Sequence, residues 1–194
     1  MITNNQIFVV VDIEADGPAV GLNSMISLAA VATTPEQEMA RFYRKLQTLE
    51  GAKPDPVTTE WWNQNTEAWI EANTDPQPPD QVMIDFYNWV TRLEAEPIFV
   101  SSPIGFDYAF VSWYLFRFAP SNPFRNRTGG IRTIDIRSYI AGVYGVSFDD
   151  SSRLKWPASL TKNMPAHTHK AIDDAAGYAF LLRKLIKSRP PPQL

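Results

Sequence analysis

The sequence predicts an α/β domain whose mixed sheet carries helices on both faces. Three strand-like segments crowd into the first 47 residues with short connections between them. From residue 58 onward, helical and strand-like segments alternate. The chain has 194 residues, a size that buries about 70% of the unfolded surface around one core. Strands in close succession form an antiparallel meander, and strands separated by a helix run parallel.

Residues 7–14, Ile-Phe-Val-Val-Val-Asp-Ile-Glu, are apolar without alternation, which predicts a central strand covered on both faces. Asp16-Gly-Pro and Gly21 break it. Residues 24–33 and 38–47 read as the second and third strands, turning at Thr34-Pro-Glu-Gln. After a proline-bearing loop, residues 58–71 read as a helix carrying Trp61, Trp62 and Trp69. A Pro-rich linker follows, then a helix over 80–95 with Val82, Phe86, Trp89 and Leu93 at helical spacing. Residues 97–101 are a short strand and 106–118 a helix apolar nearly all round. A loop leads to a fifth strand at 131–136 and a helix at 137–144. Residues 145–168 read mostly as loop, and a last helix spans 170–187. The expectation is one domain over 1–188 with an extended or disordered Pro-rich tail at 189–194.

Composition narrows the function. With 18 Lys+Arg against 21 Asp+Glu the net charge is −3, which argues against a general nucleic-acid coating protein. It leaves room for an enzyme acting on nucleic acid through local patches. Five arginines lie between Arg117 and Arg137 against one acid, Asp135, and four cations lie between Arg183 and Arg189 with none. Each run is either a solvated surface or a track for phosphates. The chain has no cysteine, so disulfides, thiolate zinc sites and cysteine nucleophiles are excluded. The N-terminus lacks the pattern of a secretory signal, and no apolar run approaches the roughly 20 residues that cross a bilayer. The expected location is cytoplasmic, with no membrane partner.

The chemistry concentrates in three places. Asp12 and Glu14 are two apart on a strand and share a face at the end of an apolar run. Asp107 leads the apolar helix, so it sits near the interior. His169 precedes Asp174 by five residues at the start of the last helix. Asp174 is preferred over Asp173 because that spacing lets a loop histidine meet a helical carboxylate. Each place alone has an ordinary explanation: acids leaving a strand for water, or acids on a helix dipole. Together they put four carboxylates and an imidazole at strand ends and helix starts, where open α/β sheets build sites. Oxygen donors suit two Mg²⁺ or Mn²⁺ ions, the clamp used for displacement at phosphorus. A histidine titrating near neutrality can take the proton of a water.

The order Asp12-x-Glu14, then Phe106-Asp107, then His169-x₄-Asp174 resembles the DEDDh 3′–5′ exonucleases. That DnaQ-like group includes RNase T, oligoribonuclease and polymerase proofreading domains. Asp55-Pro-Val-Thr-Thr-Glu-Trp-Trp is similar to the branch with the mycobacterial-type exoribonuclease and phage exonuclease A. The resemblance runs from Val9 to about Leu185 and implies an RNase H-like fold with a five-stranded mixed sheet. It makes Asp12, Glu14, Asp107 and Asp174 metal ligands and His169 the general base. Where the family often has Thr-Thr-Gly after the glutamate, this chain has Ala15-Asp-Gly. Where an Asn often stands before the third acid, it has Pro103 after Ser102. Both departures fall on contacts to the terminal nucleotide.

Ala15 and Asp16 are therefore candidate substrate contacts. Trp61 and Trp62 are candidates for base stacking, with core packing as the alternative for at least one. Asp135 reads as a supporting or structural acid at a strand end. The implied activity is hydrolysis of phosphodiester bonds at single-stranded 3′ ends of RNA or DNA, releasing 5′-mononucleotides. The resemblance also allows a homodimer. The competing reading is a non-catalytic nucleic-acid or protein binding module on the same fold.

Overall fold

A computed structural model describes residues 6–188; the tail expected at 189–194 lies outside the described residues. Five strands form one sheet. β1 (Gln6–Ala15), β2 (Met25–Thr33) and β3 (Glu38–Lys45) are the antiparallel meander. β4 (Glu96–Ser101) runs parallel to β1, and β5 (Thr133–Asp135) parallel to β4. The order is β3-β2-β1-β4-β5, so the unbroken apolar strand is central, as its sequence predicts.

Alternation along β1 sorts its side chains into two cores. Val9, Val11 and Ile13 pack with Phe86 and Val82 of α3 (Pro79–Thr91) and with Phe110 and Tyr114 of α4 (Ile104–Phe118). Phe8 and Val10 face the other way, onto Ala175, Leu181 and Leu182 of a long C-terminal helix, Ala171–Ser188. Asp12 and Glu14 continue the Phe8–Val10 row, which aims them toward that helix.

The expected helix at 58–71 is two helices, α1 (Pro56–Gln64) and α2 (Thr66–Ala72). Asn65 between them leaves helical geometry at φ −123° and ψ 47°, and its side-chain amide donates to the Trp61 carbonyl at 2.9 Å. That local bond competes with the helix ladder. α1 starts two residues earlier than expected, because Asp55 caps it by accepting the Thr58 amide at 2.8 Å and Pro56 suits a first helical turn. α3 stops at Thr91, four residues short of the expected end; Glu94 adopts φ 51° in the turn that follows.

The fifth strand is shorter than expected because Asp135 switches the chain from strand to helix. Its Oδ1 accepts the Ser138 amide at 2.7 Å, capping α5 (Ile136–Tyr144), and its Oδ2 accepts the Ile104 amide at 3.0 Å where α4 begins. One carboxylate thus ties two helix starts together. The segment 145–168 carries a 3₁₀ turn at Arg153–Lys155 and a short helix, α6 (Ala158–Thr161). α7 is the long helix Ala171–Ser188. Among the described residues, no helix is long and apolar enough to cross a membrane.

Asp135→Ala removes the acceptor of two helix-start amides. The expected loss is about 1–3 kcal/mol of stability, read from urea unfolding. An unchanged midpoint and slope would contradict the bracing role.

Candidate active site

Asp12 and Glu14 emerge where β1 outruns its parallel neighbour. The last β1–β4 pair is Val10 with Val100, while pairing with β2 continues through Asp12–Ala29 and Glu14–Ser27. In the gap beyond β4, the Ile13 amide donates to Asp107 Oδ1 at 3.1 Å. Asp107 is held in the first turn of α4 and is 3% exposed. From the opposite face α7 brings Asp174, 2% exposed in its own first turn. Ligand oxygens of Asp12, Glu14 and Asp174 lie within 4.8 Å of one another. Asp173 points elsewhere and accepts the Thr168 hydroxyl at 2.8 Å. Asp107 joins the group through β1, not by sharing that 4.8 Å cluster.

Acids so placed resist ionisation. Burial, then the charges of Asp107, Glu14 and Asp174, hold the Asp12 carboxyl well above its usual range. Burial, then the charges of Asp174, Asp107 and Glu71, push Glu14 up to about 9. Burial raises Asp107 to about 7 against the Ile13 hydrogen bond that favours its ionised form. The arrangement stores negative charge that only cations or protons relieve.

His169 stands on the loop before α7 with φ 56°, a left-handed geometry uncommon for a side chain of this size. That twist brings its ring edge-on to Trp61, with centroids 5.0 Å apart at 88°. Burial and the nearby His167 hold its pKa below the usual histidine value, partly offset by Asp174. His167, which the sequence reading passed over, lies nearer in hydrogen-bonding terms: its Nδ1 is 2.6 Å from Asp174 Oδ1. Its ring is 4.4 Å from that of His169. His167, His169 and Asp174 form a second group with ligand atoms within 4.8 Å, sharing Asp174 with the first. The His-x-His spelling was the available signal.

The two tryptophans divide. Trp62 is 4% exposed, packs with Ile26, Ala68 and Ala72, and donates its indole N–H to the Ala15 carbonyl at 3.0 Å. It pins the end of β1. Trp61 is 37% exposed and lies beside His169. Ala15 is buried, with its carbonyl committed to Trp62. Asp16 is also buried, and its carboxylate accepts the Ser24 amide while its carbonyl accepts the Asp55 amide at 2.8 Å. Its side chain braces the β1–β2 connection. Gly17 follows because a Cβ there would overlap the Asn23 carboxamide, itself bonded to Ala19 and Lys53. Sequence reasoning also missed Arg153, whose charge acts on Asp12 and His169 from a loop far away in the chain.

No family model matches the chain. Among curated proteins it is similar to the 3′–5′ DNA exonuclease Cap18 of Escherichia coli, 30% identical over 196 residues, spanning 96% of this chain and 95% of that protein. Among solved structures it is similar to the nuclease domain of 3′hExo, a DEDDh family member bound to rAMP. The TM-score is 0.72 at 12% identity, over 95% of this chain and 94% of that one. Escherichia coli Exonuclease I in complex with a dT13 oligonucleotide gives a TM-score of 0.70 at 16% identity, over 95% of this chain and 41% of that one. The sheet and its helices are accordingly an RNase H-like fold. With near full-length similarity to Cap18 and a shared fold, the chain belongs to the DEDDh family of 3′–5′ exonucleases.

Proposed function

We propose that the protein removes 5′-mononucleotides from single-stranded 3′ ends of DNA, with two divalent cations at Asp12, Glu14, Asp107 and Asp174 and with His169 as general base. The observation that carries this reading is the convergence of Asp12, Glu14 and Asp174 within 4.8 Å beside a buried Asp107. DNA is favoured over RNA because the relative at 30% identity is named as a DNA exonuclease.

The donor set fits hard cations. The cluster offers carboxylate oxygens, and no thiol exists in the chain, a composition suited to Mg²⁺ or Mn²⁺. Two such ions would lower the pKa of the attacking water and neutralise charge on the departing oxygen. The residues do the rest. His169, kept neutral by burial and by His167, accepts the proton of the attacking water and passes it to solvent. Trp61 offers an exposed ring to the terminal base, and Trp62 fixes the backbone at Ala15 behind it.

Asp12→Asn and Asp174→Asn should each abolish release of label from a 3′-labelled oligo(dT), as EDTA should for wild type. In EDTA, Asp12→Asn should unfold at a higher temperature than wild type, by about 2–4 °C per kcal/mol of relieved repulsion. Retained turnover in both variants would reject the assignment, and so would release of label in excess EDTA.

His169→Ala should lower turnover about 10²–10⁴-fold while Mn²⁺ binding, measured by calorimetry, is largely kept. Unchanged turnover across neutral pH would remove His169 as the base. A side-by-side assay on oligo(dT), oligo(U) and a circular single strand should show hydrolysis strongest on oligo(dT) and none on the circle. Cleavage of the circle would indicate an endonuclease.

A further inference from the structure

Beside the helix that carries Asp174 lies a cation with one buried donor to spare. Arg153 lies on the 3₁₀ turn Arg153–Lys155 and packs against α7. Its guanidinium carbon sits 5.9 Å from the ring centroid of Tyr178 and 5.9 Å from that of Trp156. Tyr178 is one helical turn beyond Asp174 on α7, so both side chains lie on one helix face. Local bonds brace the turn: Trp156 donates its indole N–H to the Ser151 carbonyl at 2.8 Å, and Lys155 pairs with Asp150 at 2.8 Å. Leu154, 99% exposed, points out to solvent while Arg153 points in.

Arg153 has no carboxylate partner among the described residues, and its Nη1 is shielded from solvent with no hydrogen-bond acceptor among them. A guanidinium is always charged and carries five donors in a planar fork that matches phosphate oxygens. A buried donor without a partner is free to take an acceptor from outside the chain.

We propose that Arg153 is a further catalytic residue of this site, donating to a non-bridging oxygen of the phosphate being cleaved. This rests on the exonuclease reading above. The scissile phosphodiester brings the anionic oxygens that Nη1 lacks, and charge on those oxygens changes as the water adds and the 3′ oxygen departs. A donor fixed before the reaction costs no reorganisation during it. Its contribution therefore falls on kcat more than on KM.

The test compares wild type with Arg153→Met, which keeps the stem packed on Trp156 and Tyr178, with Arg153→Lys, and with Arg153→Ala. Each acts on 3′-labelled oligo(dT) with Mn²⁺, and thermal unfolding is followed in parallel. Arg153→Met should unfold near wild type yet lose about 10²-fold or more in kcat with KM changed less than about threefold. Arg153→Lys should fall between them. Added guanidinium ion at millimolar concentration should restore activity to Arg153→Ala at least about tenfold and leave wild type unaffected. Variants within about twofold of wild type would overturn the proposal. So would a rise in KM alone, or activity lost only in step with the unfolding midpoint and without rescue. Wild type run beside them separates the two readings: an inactive wild type removes the exonuclease reading and this proposal with it, whereas an active wild type with unimpaired variants removes Arg153 alone.

Discussion

Everything at this site depends on like charges held close in a place that water reaches only in part. Bringing several carboxylates together inside a fold is unfavourable twice over, through lost hydration and through mutual repulsion. The suppressed ionisation of Asp12, Glu14 and Asp107 records that cost. The rest of the fold is what keeps those groups from drifting apart. The central strand carries two acids, the flanking helices each carry one, and the sheet between them is packed on both faces.

The bracing is backbone chemistry as much as packing. Asp107 is fastened to β1 through the Ile13 amide, which the shorter β4 leaves without a strand neighbour. Trp62 is fastened to the same strand through the Ala15 carbonyl. Asp135 stands one layer back and holds the starts of α4 and α5 together. Asp107 sits in the first turn of α4, so the bracket at Ile104 reaches the cluster through three residues of helix. A site built this way is stiff before any ligand arrives, which is what electrostatic catalysis requires.

Much of this was legible in the sequence because strand alternation and helix phase are local rules. The two-residue spacing of Asp12 and Glu14 gives their shared face, and the apolar run before them gives a central strand. The phase of α7 separates Asp174 from Asp173, and the structure turns Asp173 to Thr168. What was not legible depends on distant contacts. The break at Asn65 arises from a side-chain bond that helical periodicity does not report. Asp16 looked like a nucleotide contact by position, yet its carboxylate braces Ser24. Arg153 comes to α7 only because a long irregular segment folds back over that helix, and no spacing within the segment announces it.

The most direct measurement is anomalous diffraction from crystals of the wild-type protein grown with Mn²⁺. The account predicts two manganese peaks ligated by oxygens of Asp12, Glu14, Asp107 and Asp174, with His169 near them but unligated. Peaks bound elsewhere on the chain, or no peak at these carboxylates at saturating Mn²⁺, would contradict it.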